Sequence, residues 1–144
     1  MKITNVEVIK FRVTDEYYRK HHRWGYGCPP EDRKVGGDTP LDDLEYTVGA
    51  GINGIQTITK ISTDEGLFGF GETDTNPWAT KALLDSPGTH AMGRGFNDIL
   101  IGKDPTNVEG LWHEMNEKTM MTSRRGLGIC AMGAIDMALW DLCG

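Results

Sequence analysis

The sequence lacks any long hydrophobic run. None of its segments approaches the stretch of about 18 apolar residues that indicates a membrane-spanning helix. The amino-terminal residues, Met1 to Glu7, are interrupted by polar side chains and do not have the pattern of a signal peptide. We therefore expect a soluble, cytoplasmic protein with no membrane partner.

Cysteine is also scarce. The three cysteines, Cys28, Cys130 and Cys143, show neither a CxxC pair nor the spacing of a zinc site, which favours a reduced intracellular protein over a disulfide framework. The net charge of −6 disfavours nucleic acid as the main partner, because a phosphate backbone would be repelled. A small anionic ligand stays compatible, since a few residues determine the electrostatic field in a pocket.

Three strands are predicted before any helix. Lys2 to Val13 and Ile55 to Thr63 are rich in β-branched residues without helical spacing. Asp64 to Gly66 forms a tight turn, with Gly66 free to adopt positive φ, and Leu67 to Glu72 returns as the second arm of a hairpin. The sequence thus predicts a three-stranded, antiparallel sheet.

Helical periodicity follows the strands. Ser86-Pro87 is typical of a helix start, and this short helix is expected to end near Gly102. A second helix is expected from Asp104-Pro105, or from a capping box of Thr106 and Glu109. Its predicted buried stripe comprises Val108, Leu111, Trp112, Met115 and Thr119. Strands followed by helices indicate an α+β domain with helices packed on one face of the sheet.

The last predicted helix, Gly128 to Cys143, is apolar almost all the way round, with Asp136 and Asp141 as its charged residues. The side chains that require burial are Ile129, Met132, Ile135, Met137, Leu139, Trp140 and Leu142. This helix is either the centre of a small domain that ends at a glycine cap, or a helix covered by the rest of a larger enzyme.

One long connection departs from this compact scheme. About 40 residues, Thr14 to Gly54, separate the first two strands, and loops of that length are usually functional or disordered. Aromatic and basic residues are concentrated in it: Tyr17, Tyr18, Arg19, Lys20, His21, His22, Arg23, Trp24 and Tyr26. This composition predicts a lid over an anionic, hydroxyl-rich ligand; the alternative is a solvated loop without a role. We do not expect a metal site at His21 and His22, because no third ligand is suitably spaced.

A second candidate region, Thr73 to Trp78, follows the third strand. Asp74, Asn76 and Trp78 could contact a ligand there. Equally, Asp74 and Asn76 could be turn and capping residues ahead of Pro77.

Two further segments are weaker candidates. Thr122 to Gly126, with two arginines, could bind an anion or could be a charged linker. The glycines at positions 66, 69 and 71 do not have the spacing of a nucleotide-binding loop. No combination of bases, nucleophiles or metal ligands is spaced for catalysis, so we expect neither catalytic nor metal-binding residues within this chain.

With these elements in place, the sequence resembles the amino-terminal capping domain of the mandelate racemase/muconate lactonizing enzyme family, within the enolase superfamily. The stretches that carry the resemblance are Met1 to Val8, Thr59 to Glu72, Leu100 to Trp112 and Ala131 to Gly144. It covers essentially the whole chain, residues 1–144, and is least typical at Thr14 to Gly54 and Thr73 to Thr89.

The resemblance implies a TIM-like barrel, absent from this chain, that carries the acidic Mg²⁺ ligands and the Lys or His bases. It also implies removal of a proton α to a carboxylate, with Mg²⁺ stabilising the enediolate. The capping domain would contribute substrate-selecting loops, so the lid candidates are Tyr17, Arg19, His21, His22, Arg23, Trp24, Tyr26, Asp74, Asn76 and Trp78. A cationic lid favours an acid sugar, and hence a dehydratase, with a racemase or cycloisomerase as the near alternative. Members of the family are often homo-oligomers.

An alternative of another class is a noncatalytic fragment or interaction module that uses the Tyr17 to Tyr26 segment to bind a protein or nucleic acid. Salt-dependent binding to oligonucleotides would favour that alternative.

Overall fold

The structure, a computed structural model, describes residues 1–12, 55–73 and 75–144. Contacts separate a compact unit of Met1–Lys10 with Thr57–Gly144 from a second unit of Phe11–Gln56. The predicted lid segment, Thr14 to Gly54, and Asp74 lie outside the described residues.

Three strands form the sheet predicted from the sequence. They are β1 (Ile3–Arg12), β2 (Ile55–Thr63) and β3 (Phe68–Thr73), in the spatial order β1-β2-β3. β2 and β3 are antiparallel, with Lys60 opposite Phe70. The turn between them uses Gly66 at φ 81°, as expected, because only glycine adopts that conformation without strain. The α+β, three-stranded antiparallel prediction is confirmed.

Helices follow the sheet in the described residues. They are α1 (Pro77–Asp85), α2 (Phe96–Leu100), α3 (Val108–Lys118) and α4 (Leu127–Cys143). None of these helices combines the length and apolarity needed to cross a membrane. The predicted bounds of α4, 128–143, differ from the observed bounds by one residue at the start.

Helix α1 was not predicted from the sequence, and the helix expected from Ser86-Pro87 was placed too early. Ser86 is instead the residue that ends α1, where its backbone N–H donates to the Ala82 carbonyl at 3.0 Å. Gly95 packs so closely on this end that a Cβ would lie 2.1 Å from the Ser86 carbonyl oxygen. The glycine-rich segment before Phe96 therefore stays non-helical, since glycine is a poor helix former.

Helix α3 begins at Val108, later than the predicted Asp104-Pro105 start. The Asp104 carboxylate accepts hydrogen bonds from the backbone N–H and the hydroxyl of Thr106, at 3.0 and 2.8 Å. This local turn engages the Thr106 hydroxyl, so the alternative capping box with Glu109 does not form. The predicted stripe through α3 is confirmed: Val108, Leu111, Met115 and Thr119 are buried and Trp112 is half-buried.

Among the described residues, a hydrophobic core joins the inner face of the sheet to the helices. Its largest fully buried side chains include Ile3, Ile61, Leu84, Phe96, Ile99, Leu100, Met115, Met132, Ile135 and Leu139. Because each helix and the sheet contribute to this cluster, the position of α4 is determined by the whole unit.

Two glycines of β3 bring α4 unusually close to the sheet. A Cβ on Gly71 would lie 1.9 Å from the Ala134 carbonyl oxygen, and one on Gly69 would lie 2.2 Å from that of Ala138. Gly69 and Gly71, which do not have the spacing of a nucleotide-binding loop, thus form the surface on which the backbone of α4 packs.

The free edge of β3 is occupied by a side chain of α4. The Phe70 backbone N–H, which points away from β2, donates to the Asp141 carboxylate at 2.9 Å. An edge-strand donor that would otherwise face solvent is satisfied by the helix packed over it.

An ion-pair network links α3 to the segment before it. The Lys103 ammonium lies 3.1 Å from the Glu114 carboxylate, which also binds Lys118 one turn along α3. The Lys118 hydrogen bond, followed by that of Lys103, lowers the pKa of Glu114 despite the opposing effect of burial.

We predict that Glu114 stabilises the fold at neutral pH and loses this contribution in acid. Its lowered folded-state pKa means that the stabilisation is present above the unfolded pKa and declines as pH falls through the folded value. Glu114→Gln should reduce the free energy of unfolding by roughly 1 kcal/mol or less at pH 7. Urea titrations of both proteins should show this difference vanishing in acid, and a difference independent of pH would contradict the prediction.

Candidate functional site

Helix α4 presents one continuous apolar stripe to solvent. Ile129, Gly133, Met137 and Trp140, hereafter the α4 stripe, follow each other at helical spacing along its exposed side. Met137 is 44% exposed and Trp140 is 56% exposed. The opposite side of α4 is buried against the sheet and the other helices. Ile129, Met137 and Trp140, which the sequence predicted to require burial, are exposed instead.

Beside the α4 stripe, a groove of about 380 Å³ runs between α3 and α4. Its lining residues are Val108, Glu109, Trp112, His113, Asp136 and Trp140. We refer to this as the α3/α4 groove. Two tryptophans and two carboxylates in one concavity form a surface suited to a cationic or amphipathic partner.

Asp136 is the perturbed acid of this groove. Partial burial raises the pKa of its carboxyl group, because desolvation disfavours the charged form. It lies one helical turn before Trp140, so both side chains stand on the same side of α4.

Most of the predicted lid residues cannot be placed. The candidates outside the described residues are Tyr17, Arg19, His21, His22, Arg23, Trp24, Tyr26 and Asp74. Asn76 and Trp78 lie together at the start of α1, directly after the third strand. Their role towards a substrate stays a prediction.

Asn76 has a structural role as the N-cap of α1. Its side-chain oxygen accepts hydrogen bonds from the backbone N–H groups of Trp78 and Ala79, at 3.0 and 3.2 Å, and Pro77 occupies the first helical position. The capping alternative considered from the sequence is therefore observed for Asn76.

Threonine hydroxyls hold the same turn against the sheet. Thr57 donates to the Thr75 carbonyl at 2.7 Å, and the hydroxyls of Thr75 and Thr80 lie 2.7 Å apart. Trp78, 38% exposed, lies under the Lys10 ammonium of β1, with 4.8 Å between the nitrogen and the ring centroid. The end of the sheet thus positions Trp78 as a partly exposed aromatic surface.

We predict that Asn76→Ala lowers the free energy of unfolding by about 1 kcal/mol, because two N–H groups of α1 lose their acceptor. Asn76→Asp is the matched control and should retain most of the stability, since a carboxylate also caps a helix start. Thermal unfolding by circular dichroism compares the three proteins, and equal losses in both variants would refute the capping argument.

Within the described residues, no three His, Cys, Asp or Glu side chains converge as a metal site. Arg124 and Arg125 are exposed and precede Gly126, the N-cap residue of α4, which has φ 62°. The anion-binding and linker interpretations of this segment both stay predictions.

These features define an α+β domain whose helix α4 offers an apolar surface to solvent. The chain belongs to the mandelate racemase/muconate lactonizing enzyme family of the enolase superfamily, because the sequence model of that family's N-terminal domain matches residues 45–144. The resemblance drawn from sequence motifs is confirmed.

Curated relatives of this chain include sugar-acid dehydratases. The D-galactonate dehydratase family member RspA of Halomonas elongata is 38% identical over 86 residues, which cover 58% of this chain and 19% of the relative. The L-rhamnonate dehydratase of Saccharopolyspora erythraea is 30% identical over 95 residues, covering 65% of this chain and 22% of the relative. This chain therefore spans about a fifth of the length of these relatives.

Among solved structures, the 3,6-anhydro-D-galactonate cycloisomerase of Zobellia galactanivorans superposes with a TM-score of 0.59 at 26% identity. The match covers 99% of this chain and 28% of that protein. The similar proteins thus include both dehydratases and isomerases.

Proposed function

We propose that residues 1–144 are the substrate-capping domain of a Mg²⁺-dependent enolase-superfamily enzyme, and that the enzyme dehydrates an acid sugar. The observation that carries this proposal is the exposed α4 stripe, with Trp140 at its end, on a domain of this family. A stripe of this kind is suited to packing against another domain. In the proposal, that domain is a TIM-like barrel.

The acid-sugar substrate is supported by the relatives, which include a D-galactonate dehydratase family member and an L-rhamnonate dehydratase. It is also supported by the basic and aromatic composition of the proposed lid, because arginine binds carboxylates bidentately and aromatic residues cover sugar rings. Isomerisation is the second candidate reaction, and the structural similarity to a cycloisomerase favours it.

The described residues of this chain do not fit Mg²⁺, since they bring no three suitable ligands together. In the proposal the ion and the catalytic bases reside on the barrel. This chain would supply the substrate-contacting side chains named from the sequence, foremost Arg19, Arg23 and Trp24, with Trp78 from the start of α1. The complete enzyme is proposed to be a cytoplasmic homo-oligomer.

The test uses a chimera in which this chain replaces the matching part of the Halomonas elongata relative. Chain and chimera are incubated with Mg²⁺ and a panel of acid sugars, and 2-keto-3-deoxy acids are measured. The chimera should convert at least one acid sugar. The isolated chain should convert none and should show no saturable Mg²⁺ binding by calorimetry.

Variants of the chimera separate substrate selection from folding. Arg19→Ala and Arg23→Ala should raise KM for the acid sugar with little effect on thermal stability, while Lys2→Ala is a matched surface control. A folded chimera that converts no acid sugar, or turnover by the isolated chain, would overturn the proposal.

A further inference from the structure

The α3/α4 groove combines the two kinds of group that recognise an organic cation. Trp112 and Trp140 both line the groove, and tryptophan is the strongest aromatic partner for a cation. Glu109 and Asp136 contribute carboxylates to the same lining. A guanidinium group can stack on an indole and bind a carboxylate at the same time.

No cation within the described part of the chain uses these carboxylates. The ion pairs among the described residues involve other acids, such as Asp85, Asp98 and Glu114. His113 is the basic side chain of the groove lining, and its ring packs edge-on against Trp112, with 5.5 Å between the ring centroids.

The location of Asp136 argues for a charged partner. Its carboxyl group is partly withdrawn from water, which raises its pKa in the uncovered domain. Covering the α4 stripe would withdraw it further, because Trp140 belongs to both the stripe and the groove lining. A carboxylate buried at an interface is costly unless a cation pairs with it.

We infer that the α3/α4 groove receives the guanidinium of an arginine on the domain that covers the α4 stripe, packed against the tryptophans of the groove and paired with Asp136. Arginine fits better than lysine because its planar group matches both the ring faces and the carboxylate. This inference rests on the proposed function, since it names a contact that joins the capping domain to its neighbour.

The groove can be tested in the chain itself with N-acetyl-arginine amide as the probe. The indole N–H signals of Trp112 and Trp140 are followed by NMR as the probe is added. N-acetyl-citrulline amide, which has the same shape without the charge, is the control probe. Saturable shifts of both indoles with the arginine probe, and none with the citrulline probe, are expected.

Two variants test whether the arginine probe binds at Asp136. Asp136→Asn should lower the affinity for the arginine probe about fivefold, because one ion pair is lost. Glu117→Gln removes a similar charge from an exposed position of α3 that does not line the groove, and it should leave the affinity unchanged. Equal shifts with both probes, no shifts with either, or equal effects of the two variants would overturn the inference.

Failure of this inference can be distinguished from failure of the proposed function. An active chimera, together with an isolated chain whose groove does not bind the arginine probe, would overturn this inference alone. If the isolated chain binds the probe but the folded chimera is inactive, the cation site is supported and the proposed enzyme function is contradicted.

Discussion

Gly71→Ala is expected to unfold the chain or to lower its free energy of unfolding by about 3 kcal/mol or more. The added methyl group would lie 1.9 Å from the Ala134 carbonyl oxygen and 2.9 Å from the backbone nitrogen of Ala138. Both atoms belong to the backbone of α4, which cannot move aside as a flexible side chain can. The helix would have to shift away from the sheet and open the core behind it.

Gly133→Ala is the matched control for this experiment. Gly133 lies in the middle of α4 with open space around its Cβ position, so alanine there should stabilise the helix by up to about 1 kcal/mol. Urea denaturation followed by far-UV circular dichroism compares both variants with the original chain. Similar midpoints for all three proteins would disprove the close approach of β3 and α4.

The second large effect is expected at neighbouring positions of α4. Leu139 is fully buried and Trp140 is 56% exposed. Leu139→Ala should cost about 2–5 kcal/mol because it leaves a cavity in the core. Trp140→Ala should change the stability of the isolated chain by only about 0.5 kcal/mol, as exposed positions do.

The same two substitutions can show whether the α4 stripe is exposed, as in this chain, or covered by another domain. In the chimera described above, Trp140→Ala should become destabilising, because the barrel would pack on the α4 stripe. Differential scanning calorimetry of the chain and the chimera measures both cases. A large loss from Trp140→Ala in the isolated chain would show that α4 is already covered by residues 1–144.

The sequence was sufficient to predict the strands, α3 and α4, because their signals are local. A segment rich in β-branched residues, a turn glycine and a helical stripe are each visible within one stretch of sequence. The missed helix α1 also had a local signal, Asn76 as N-cap followed by Pro77 at the first helical position. That signal is ambiguous, because the same residues are also typical of turns.

Other properties depend on contacts that no local pattern contains. Which side of the apolar helix α4 is buried depends on the sheet and on α3, so periodicity alone could not separate Leu139 from Trp140. The role of Gly71 depends on a helix backbone more than 60 residues further along the chain. The α3/α4 groove likewise combines side chains from two helices, and only the fold brings Glu109 and Asp136 to one concavity.

The bond from the Phe70 N–H to Asp141 has a consequence for how the protein behaves at high concentration. β3 carries two exposed phenylalanines on an outer strand, a pattern prone to intermolecular strand addition and fibril growth. An incoming strand would have to displace a charged group that already occupies this donor. Helix α4 therefore protects the edge of β3 from pairing with a strand of another molecule.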